Sequence, residues 1–325
     1  MKAIINLTAA LLMLASVMLM LLAQDVLAAQ DQQAINETRQ VSANEKITIE
    51  AMRGEVRIRA GADNTFVVKG LLDELAEGFE LESANGFTRF VVLMPRSVRG
   101  WRNEDGNDLE FIVPANSDVE FSGVNAEVQI ADILGGTKVT TVNGDIVAAN
   151  LGGVIELKTV NGPIRSSNVR GRVSLQTVNG EISDSRSAGR LNASTVNGSM
   201  EIDSAAEEVR ISMVNGEVDA TLNGAQLLEF DGINGQLAIH VLNSMSPRIK
   251  GSSVSGQIEL RLDRDIDARF NLRTSVGSRI DNGISNDQAV RPQYGPGRSL
   301  QFTTGQGNGS VELTTVSGAI EVRGN

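Results

Sequence analysis

A three-residue motif, Val-Asn-Gly, recurs along the middle of the chain at a constant interval. Its valine stands at positions 142, 160, 178, 196 and 214, each 18 residues after the one before. Val124-Asn125-Ala126 precedes the series by the same interval, and Ile233-Asn234-Gly235 and Val254-Ser255-Gly256 follow it at 19 and 21 residues. A sustained period of this length indicates a repeat protein, in which each repeat is one structural unit stacked on its neighbours.

Apolar and polar residues alternate on both sides of each motif. The positions three before and four after the valine are apolar in successive repeats: Val139 and Ile146, Leu157 and Ile164, Leu175 and Ile182, Ala193 and Met200, Ile211 and Val218. Alternation with period two is typical of strands that bury one face. Each repeat therefore predicts a strand, an Asn-Gly corner, a second strand and a looser turn such as Leu151-Gly152-Gly153.

Two all-β architectures fit this pattern. Asn-Gly is the strongest short signal for a β-hairpin, and a run of hairpins would give an antiparallel sheet or sandwich. A parallel β-solenoid, or single-stranded β-helix, instead stacks each residue on its counterpart one coil away, at a spacing of about 4.8 Å. Near-identity at a fixed interval of 18 favours the solenoid with 18-residue coils.

The Asn-Gly pairs predict a column along one corner of the stack. We expect a structural turn ladder built from Asn143, Gly144, Asn161, Gly162, Asn179, Gly180, Asn197, Gly198, Asn215, Gly216, Asn234 and Gly235. Asparagine and glycine tolerate the left-handed backbone of a corner, and stacked amides can bond to each other. The same column could also be interpreted as a binding row.

The N-terminus predicts export. Lys2 precedes a predominantly apolar stretch from Ala9 to Leu22, and Ala28 and Ala29 offer small residues for cleavage. Residues 1–28 are therefore predicted to be a signal peptide, with an uncleaved anchor as the alternative. The stretch is shorter than the roughly 20 apolar residues of a spanning helix. Localisation is predicted to be the periplasm, the cell surface or the extracellular space.

The rest of the chain divides into segments that differ in their pattern of apolar and polar residues. Residues 29–45 are polar without a period and are predicted to be a linker. Residues 46–123 alternate without the 18-residue repeat and hold most of the phenylalanines, which suits an N-terminal β cap that closes the first coil. Residues 124–325 are predicted to be the solenoid repeats, with a Gly- and Pro-rich loop insertion at about 282–300 and a last coil at 310–322.

Composition excludes several kinds of chemistry. The chain has no cysteine and one histidine, so thiol catalysis, cysteine-ligated metals and two-histidine metal sites are excluded. A net charge of −11 without clustered Lys and Arg argues against a nucleic-acid partner. A membrane is expected as a partner only through the N-terminal segment, if that segment stays uncleaved.

The combined pattern resembles a known family. Arg53-Gly54-Glu55-Val56, then Phe111-Ile112-Val113-Pro114 leading into the Val-Asn-Gly coils, then Thr315-Val316-Ser317-Gly318, are similar to the bacterial putative-adhesin β-strand-repeat family, a family of unknown function related to head-GIN domains. The resemblance covers residues 46–323. It implies a right-handed all-β solenoid on an exported bacterial protein, and it implies no catalytic residues.

Two functions from different classes follow. The first is a non-enzymatic, adhesin-like scaffold or interaction protein of the bacterial envelope, whose partner would be an unknown protein or an envelope glycan. The second is a polysaccharide lyase or hydrolase, for which Glu181 and Glu217 would be the outward acids. Two coils separate these acids, a spacing of about 9.5 Å that lies at the limit for an inverting pair.

The other candidate groups predict no site. His240 lies on a strand with outward parity and is expected to be an exposed strand residue. Asp263, Asp265 and Asp267 lack the glycine and closing glutamate of a calcium loop. We therefore expect no catalytic residues, no metal and no cofactor.

Overall fold

The computed structural model describes residues 32–96, 106–276 and 278–325. Their regular structure is β throughout, and the 23 strands that these residues form belong to one hydrogen-bonded sheet. Within the same residues, no helix has the length and apolar character needed to cross a membrane. The predicted signal peptide, residues 1–28, lies outside the described residues.

The strands fall into three groups along the chain. The N-terminal strands are β1 (Ala34–Gln40), β2 (Lys46–Glu50), β3 (Arg53–Gly61), β4 (Thr65–Leu71), β5 (Gly78–Ala84), β6 (Phe87–Leu93), β7 (Asn107–Pro114), β8 (Asp118–Ser122) and β9 (Asn125–Ala131). The central strands are β10 (Gly136–Thr140), β11 (Ile146–Ala149), β12 (Gly152–Lys158), β13 (Ile164–Ser167), β14 (Arg170–Asn179), β15 (Ile182–Asn197), β16 (Met200–Asn223), β17 (Leu227–Leu242) and β18 (Arg248–Leu262). The C-terminal strands are β19 (Ala268–Thr274), β20 (Ile280–Gly283), β21 (Arg298–Thr303), β22 (Gly309–Thr315) and β23 (Ile320–Gly324).

The central strands pair in parallel and in register with the repeat. β10 pairs with β12, which sets Val139 opposite Leu157, and β11 pairs with β13, which sets Ile146 opposite Ile164. The strands on the two sides of Asn143-Gly144, β10 and β11, pair with other strands and not with each other. This Asn-Gly pair therefore forms a corner between two strand files and not a hairpin turn.

The sheet as a whole is mixed, which corrects the expectation of a purely parallel structure. β1 pairs antiparallel with β4, β4 with β7, β5 with β6, and β19 with β21. Between β5 and β6 the chain does make a hairpin, at Asn85-Gly86, where both residues have positive φ (54° and 79°). That backbone is the one required by the tight two-residue hairpin turn. The antiparallel pairings thus lie in the segments that flank the Val-Asn-Gly repeats.

Strand β1 replaces the linker predicted for residues 29–45. It contacts β4 over seven residue pairs, from Ala34 opposite Leu71 to Gln40 opposite Thr65. Its one large apolar side chain, Ile35, is buried. A polar segment forms a strand here because it covers an edge of β4 that would otherwise expose unpaired backbone groups.

The chain crosses over itself at both ends of the sheet. Near the N-terminus, β2 lies between β6 and β8, and β3 lies between β7 and β9, all in parallel pairing. These pairings cross the predicted boundary between residues 123 and 124. Near the C-terminus, β22 lies between β18 and β19. The segment predicted as the last coil is therefore enclosed on both sides.

Buried side chains form files that run through the stack. Val139, Leu157 and Leu175 lie in one file with no exposed surface. The N-terminal end of the interior is filled by phenylalanines, and the ring centroids of Phe90 and Phe111 are 5.2 Å apart. Phe121 lies opposite Val139, so the aromatic cluster continues into the aliphatic files.

Stacking this close demands glycine at the corner. A Cβ built on Gly198 would lie 1.9 Å from the carbonyl oxygen of Gly180, the equivalent residue one repeat earlier. We predict that Gly198→Ala lowers the free energy of unfolding by about 1–3 kcal/mol, because the two turns must move apart. Urea unfolding measures the change. Gly152→Ala is the matched control, since its Cβ would meet Leu134 only at 3.3 Å. Equal stability of the two variants would contradict the close-approach argument.

Candidate functional site

The Asn-Gly corner forms a continuous chain of amide hydrogen bonds. The Nδ2 group of each asparagine donates to Oδ1 of the asparagine one repeat earlier, from Asn143 to Asn125 (2.7 Å) through to Asn234 to Asn215 (3.0 Å). The bonds between these two belong to Asn161, Asn179, Asn197 and Asn215. Each amide from Asn143 to Asn215 thus uses one donor and one acceptor within the column, although the side chains are exposed.

The backbone reason given above for this corner is corrected by the structure. None of the described ladder asparagines has positive φ, and among the predicted ladder glycines only Gly216 and Gly235 do. The carbonyl of the preceding turn stands where a Cβ would be, at 2.0 Å for Gly180 and 2.3 Å for Gly162. Glycine is needed because the turns approach closely, and asparagine because its amide bonds along the column.

A second polar column runs along the opposite turn, and the sequence analysis missed it. Asp132, Asn150, Asn168 and Arg186 stand 18 residues apart and all have left-handed φ, between 53° and 64°. Asn150 Nδ2 donates to Asp132 Oδ1 (2.9 Å), and Asn168 Nδ2 donates to Asn150 Oδ1 (2.8 Å). Their identical spacing before the looser turn was the signal that could have found them.

An exposed apolar row lies directly beside the asparagine ladder. Four of the motif residues are exposed, with exposed fractions of 37% for Val142, 38% for Val196, 44% for Ile233 and 48% for Val254. The others, Val160, Val178 and Val214, are half-buried. The sequence could have predicted this row, because side chains alternate along a strand. A residue three positions after an inward residue therefore points outward. Apolar side chains at repeated outward positions do not contribute to the core.

A groove of about 430 Å³ follows this row where the interval between motifs is longest, at 19 and 21 residues. Its walls include Val196, Val214, Ile233 and Val254, and Gly232 leaves its floor without a side chain. The rim is polar, with Ser252 Oγ donating to Asp231 Oδ1 at 2.5 Å. We define the apolar row as Val142, Val160, Val178, Val196, Val214, Ile233 and Val254.

The sequence-derived acids do not converge. Glu181 and Glu217 are exposed, and within the described ranges neither carboxylate forms a hydrogen bond or an ion pair; Glu181 takes part only through its backbone carbonyl, which accepts from the amide of Ile164 at 2.8 Å. Asp267 instead ties down the C-terminal loop, accepting backbone hydrogen bonds from Gln306 and Gly307 at 2.6 Å. Desolvation would raise the pKa of Asp267, but the hydrogen bonds from Asn308 and these amides lower it below its usual value. In the described ranges no three His, Asp or Glu side chains form a group that could hold a metal ion.

His240 lies on the surface at the C-terminal end. Its Nε2 is 2.8 Å from Oδ1 of the terminal residue, Asn325. A recess of about 150 Å³ beside it is lined by Asp219, Glu259 and Arg261. The ring therefore joins the chain terminus to the outer face of β17.

One buried carboxyl group was also missed. Asp184 is 2% exposed and lies in an interior file between Ser166 and Ile202. Ser166 Oγ donates to its Oδ1 at 2.6 Å, whereas its Oδ2 has no partner. Burial, with a smaller contribution from the charge of Asp203, raises the pKa of this carboxyl, and the hydroxyls of Ser166 and Ser187 oppose the rise only in part. The available signal was its position two residues after the inward Ile182, because side chains two apart on a strand lie on the same face.

Comparison with known proteins finds similarity only to solved structures. No family profile and no curated protein sequence matches the chain. Putative adhesins from Bacteroides fragilis and Parabacteroides distasonis are 16% and 12% identical, each over 71% of this chain and 97% and 98% of theirs, with TM-scores of 0.41 and 0.44. A putative cell adhesion protein from Clostridium sporogenes is 10% identical over 90% of this chain and 100% of its own, with a TM-score of 0.23. Likenesses at these scores carry no argument about function.

The buried carboxyl group makes stability depend on pH. The folded-state pKa of Asp184 is raised above its unfolded value, so the folded state binds the proton more tightly and stability falls as pH rises between the two values. We predict that Asp184→Asn is more stable than wild type at pH 7.5 by about 1–3 kcal/mol, and that the gain shrinks towards pH 4. Urea midpoints across this range measure it.

The exposed Asp219→Asn is the control for that prediction and should change stability by less than about 0.5 kcal/mol at either pH. A stabilisation by Asp184→Asn that is the same at both pH values would mean that the carboxyl group is not the cause.

Proposed function

We propose that the protein is an exported, non-enzymatic interaction scaffold of the bacterial envelope, adhesin-like in its role. Its sheet would wind as a parallel β-solenoid with 18-residue coils, capped by the N-terminal strands. The observation that carries the functional part is the apolar row, a line of exposed and half-buried β-branched side chains beside a polar ladder. The bacterial and exported parts rest on the sequence pattern.

The pairing register supports the solenoid. β14 pairs with β15 from Arg170 opposite Ala188 to Asn179 opposite Asn197, so the corner is included in the parallel ladder. Isolated bridges join Asn143 to Asn161 and Asn161 to Asn179 at the same corner. A backbone that meets its equivalent residue after 18 positions, at strands and corner alike, is the geometry expected of stacked coils.

The apolar row suits recognition of a partner. Exposed apolar surface that is contiguous and rimmed by polar groups marks interaction sites on soluble proteins. Valine and isoleucine have few rotamers, so they lose little conformational entropy when a partner covers them. The row is also pre-organised, because each side chain is fixed by a strand whose neighbours are about 4.8 Å away.

The carboxylates favour binding over catalysis. Glu181 and Glu217 are both exposed and stand two coils apart, a distance of about 9.5 Å. A glycosidase pair needs one acid held in a setting that favours its protonated form. Asp184 has a raised pKa, but it lies inside the stack where no substrate reaches it.

The apolar row gives a direct test. Fluorescently labelled protein is titrated onto envelope fragments of the source bacterium, and bound protein is measured after sedimentation. We expect saturable binding that weakens at least tenfold in the Val196→Asp, Ile233→Asp double variant, because both changes place charge within the row. Val147→Asp and Val154→Asp alter exposed valines outside the row and are the matched control.

Two other outcomes would contradict the proposal. Equal binding by the row variant and the control would remove the row as the contact surface. Release of reducing ends or unsaturated products from the fragments, abolished by Glu181→Gln or Glu217→Gln, would replace the scaffold by an enzyme.

A further inference from the structure

The second polar column changes its chemistry at one position. Asp132, Asn150 and Asn168 occupy its left-handed corner, and both residue types adopt that backbone readily. Arg186 takes the next position with φ of 60°. For arginine this backbone is strained, and strain of this kind concentrates at functional sites. Asparagine would fit the position without strain, so the arginine calls for another explanation.

The coil after Arg186 is one residue shorter at this corner. Pairing of β15 with β16 passes from Ser185 opposite Asp203 directly to Ser187 opposite Ser204, which leaves Arg186 with no residue opposite it. The column resumes only with Asn223, whose Oδ1 accepts from Asn243 Nδ2 at 2.7 Å. A recess of about 550 Å³ opens in the gap.

The groups around this recess are complementary to an anion. Arg170 and Arg186 both line it, and within the described chain neither forms an ion pair. The hydrogen bond of Arg170 is long, 3.4 Å from its Nη2 to Asn168 Oδ1. Other arginines of the repeats are paired, such as Arg165 with Asp145 and Arg190 with Glu208. In a chain of net charge −11, two unpaired guanidinium groups at one recess form a local cationic site.

The recess also offers groups that bind hydroxyls. The amides of Asn150, Asn168 and Asn223 line it, and Asp203 supplies one carboxylate. A carboxylate accepts hydrogen bonds from hydroxyl groups and repels a simple anion. The combination selects a ligand that carries a negative group for the arginines and hydroxyls for Asp203 and the amides.

We infer that this recess, formed by Arg170, Arg186, Asp203 and the neighbouring amides, binds a carboxylate-bearing sugar residue of an acidic glycan. The guanidinium groups bind the sugar carboxylate, for which their planar donor geometry is suited. The inference rests on the proposed function as an envelope-contacting protein. It adds a ligand class and a second site, because the recess lies at the opposite turn from the apolar row.

The binding test uses tri-galacturonate as the probe and galactotriose as its neutral counterpart, measured by isothermal titration calorimetry at low ionic strength. We expect binding of the acidic trisaccharide and none of the neutral one. Inorganic phosphate is added as a competitor, and it should displace the trisaccharide poorly because it offers no sugar hydroxyls to Asp203.

The decisive variant is Arg186→Asn. It completes the asparagine column, so we expect a melting temperature equal to or above that of wild type together with at least tenfold weaker binding of tri-galacturonate. Arg170→Gln should weaken binding to a similar degree without touching the strained position. Arg248→Gln removes an exposed arginine elsewhere that also lacks an ion pair, and it should bind as wild type does.

Three results would overturn the inference: unchanged affinity in Arg186→Asn, equal binding of the neutral trisaccharide, or displacement by phosphate at equimolar concentration. The Val196→Asp, Ile233→Asp variant should bind tri-galacturonate normally. The two proposals can therefore be contradicted independently, because each variant changes one surface and leaves the other intact.

Discussion

The structure depends on the close approach of equivalent backbone segments in successive repeats. At the Asn-Gly corner the carbonyl oxygen of one turn occupies the place that a Cβ of the next would take, as between Gly180 and Gly198. Glycine is thus required by contact between turns, even where its φ is ordinary. Once the corner is this tight, the strands on either side have no freedom of register, and equivalent residues must lie beside each other.

Because of this constraint, equivalent residues of successive repeats lie beside each other in columns. A residue type that is repeated in the sequence therefore forms a continuous row in the structure. Repeated asparagines become a hydrogen-bonded ladder, and repeated outward valines become an apolar row. A single departure is equally visible. Asp184 places a carboxyl group in an otherwise apolar or hydroxyl-bearing file, and Arg186 places a guanidinium group where the two preceding repeats have an amide. The first interruption places an ionisable group in the interior, and the second places a guanidinium group at the surface.

The two corners differ in their regularity. The Asn-Gly corner is regular from Asn125 to Asn234 and carries the apolar row along its edge. The opposite turn varies in length, and the residue missing opposite Arg186 creates a recess of defined shape.

The sequence by itself determined the all-β class and the repeat interval, because both are written in periods of two and 18 along the chain. It also indicated the Asn-Gly column by repetition alone. Only the tertiary structure decided that β22 lies between β18 and β19, that β1 covers β4, and that the sheet is mixed, since these pairings join segments with no shared pattern. The sequence could not reveal the recess at Arg186 for the same reason, because the residue missing opposite Arg186 is visible only in the pairing of β15 with β16.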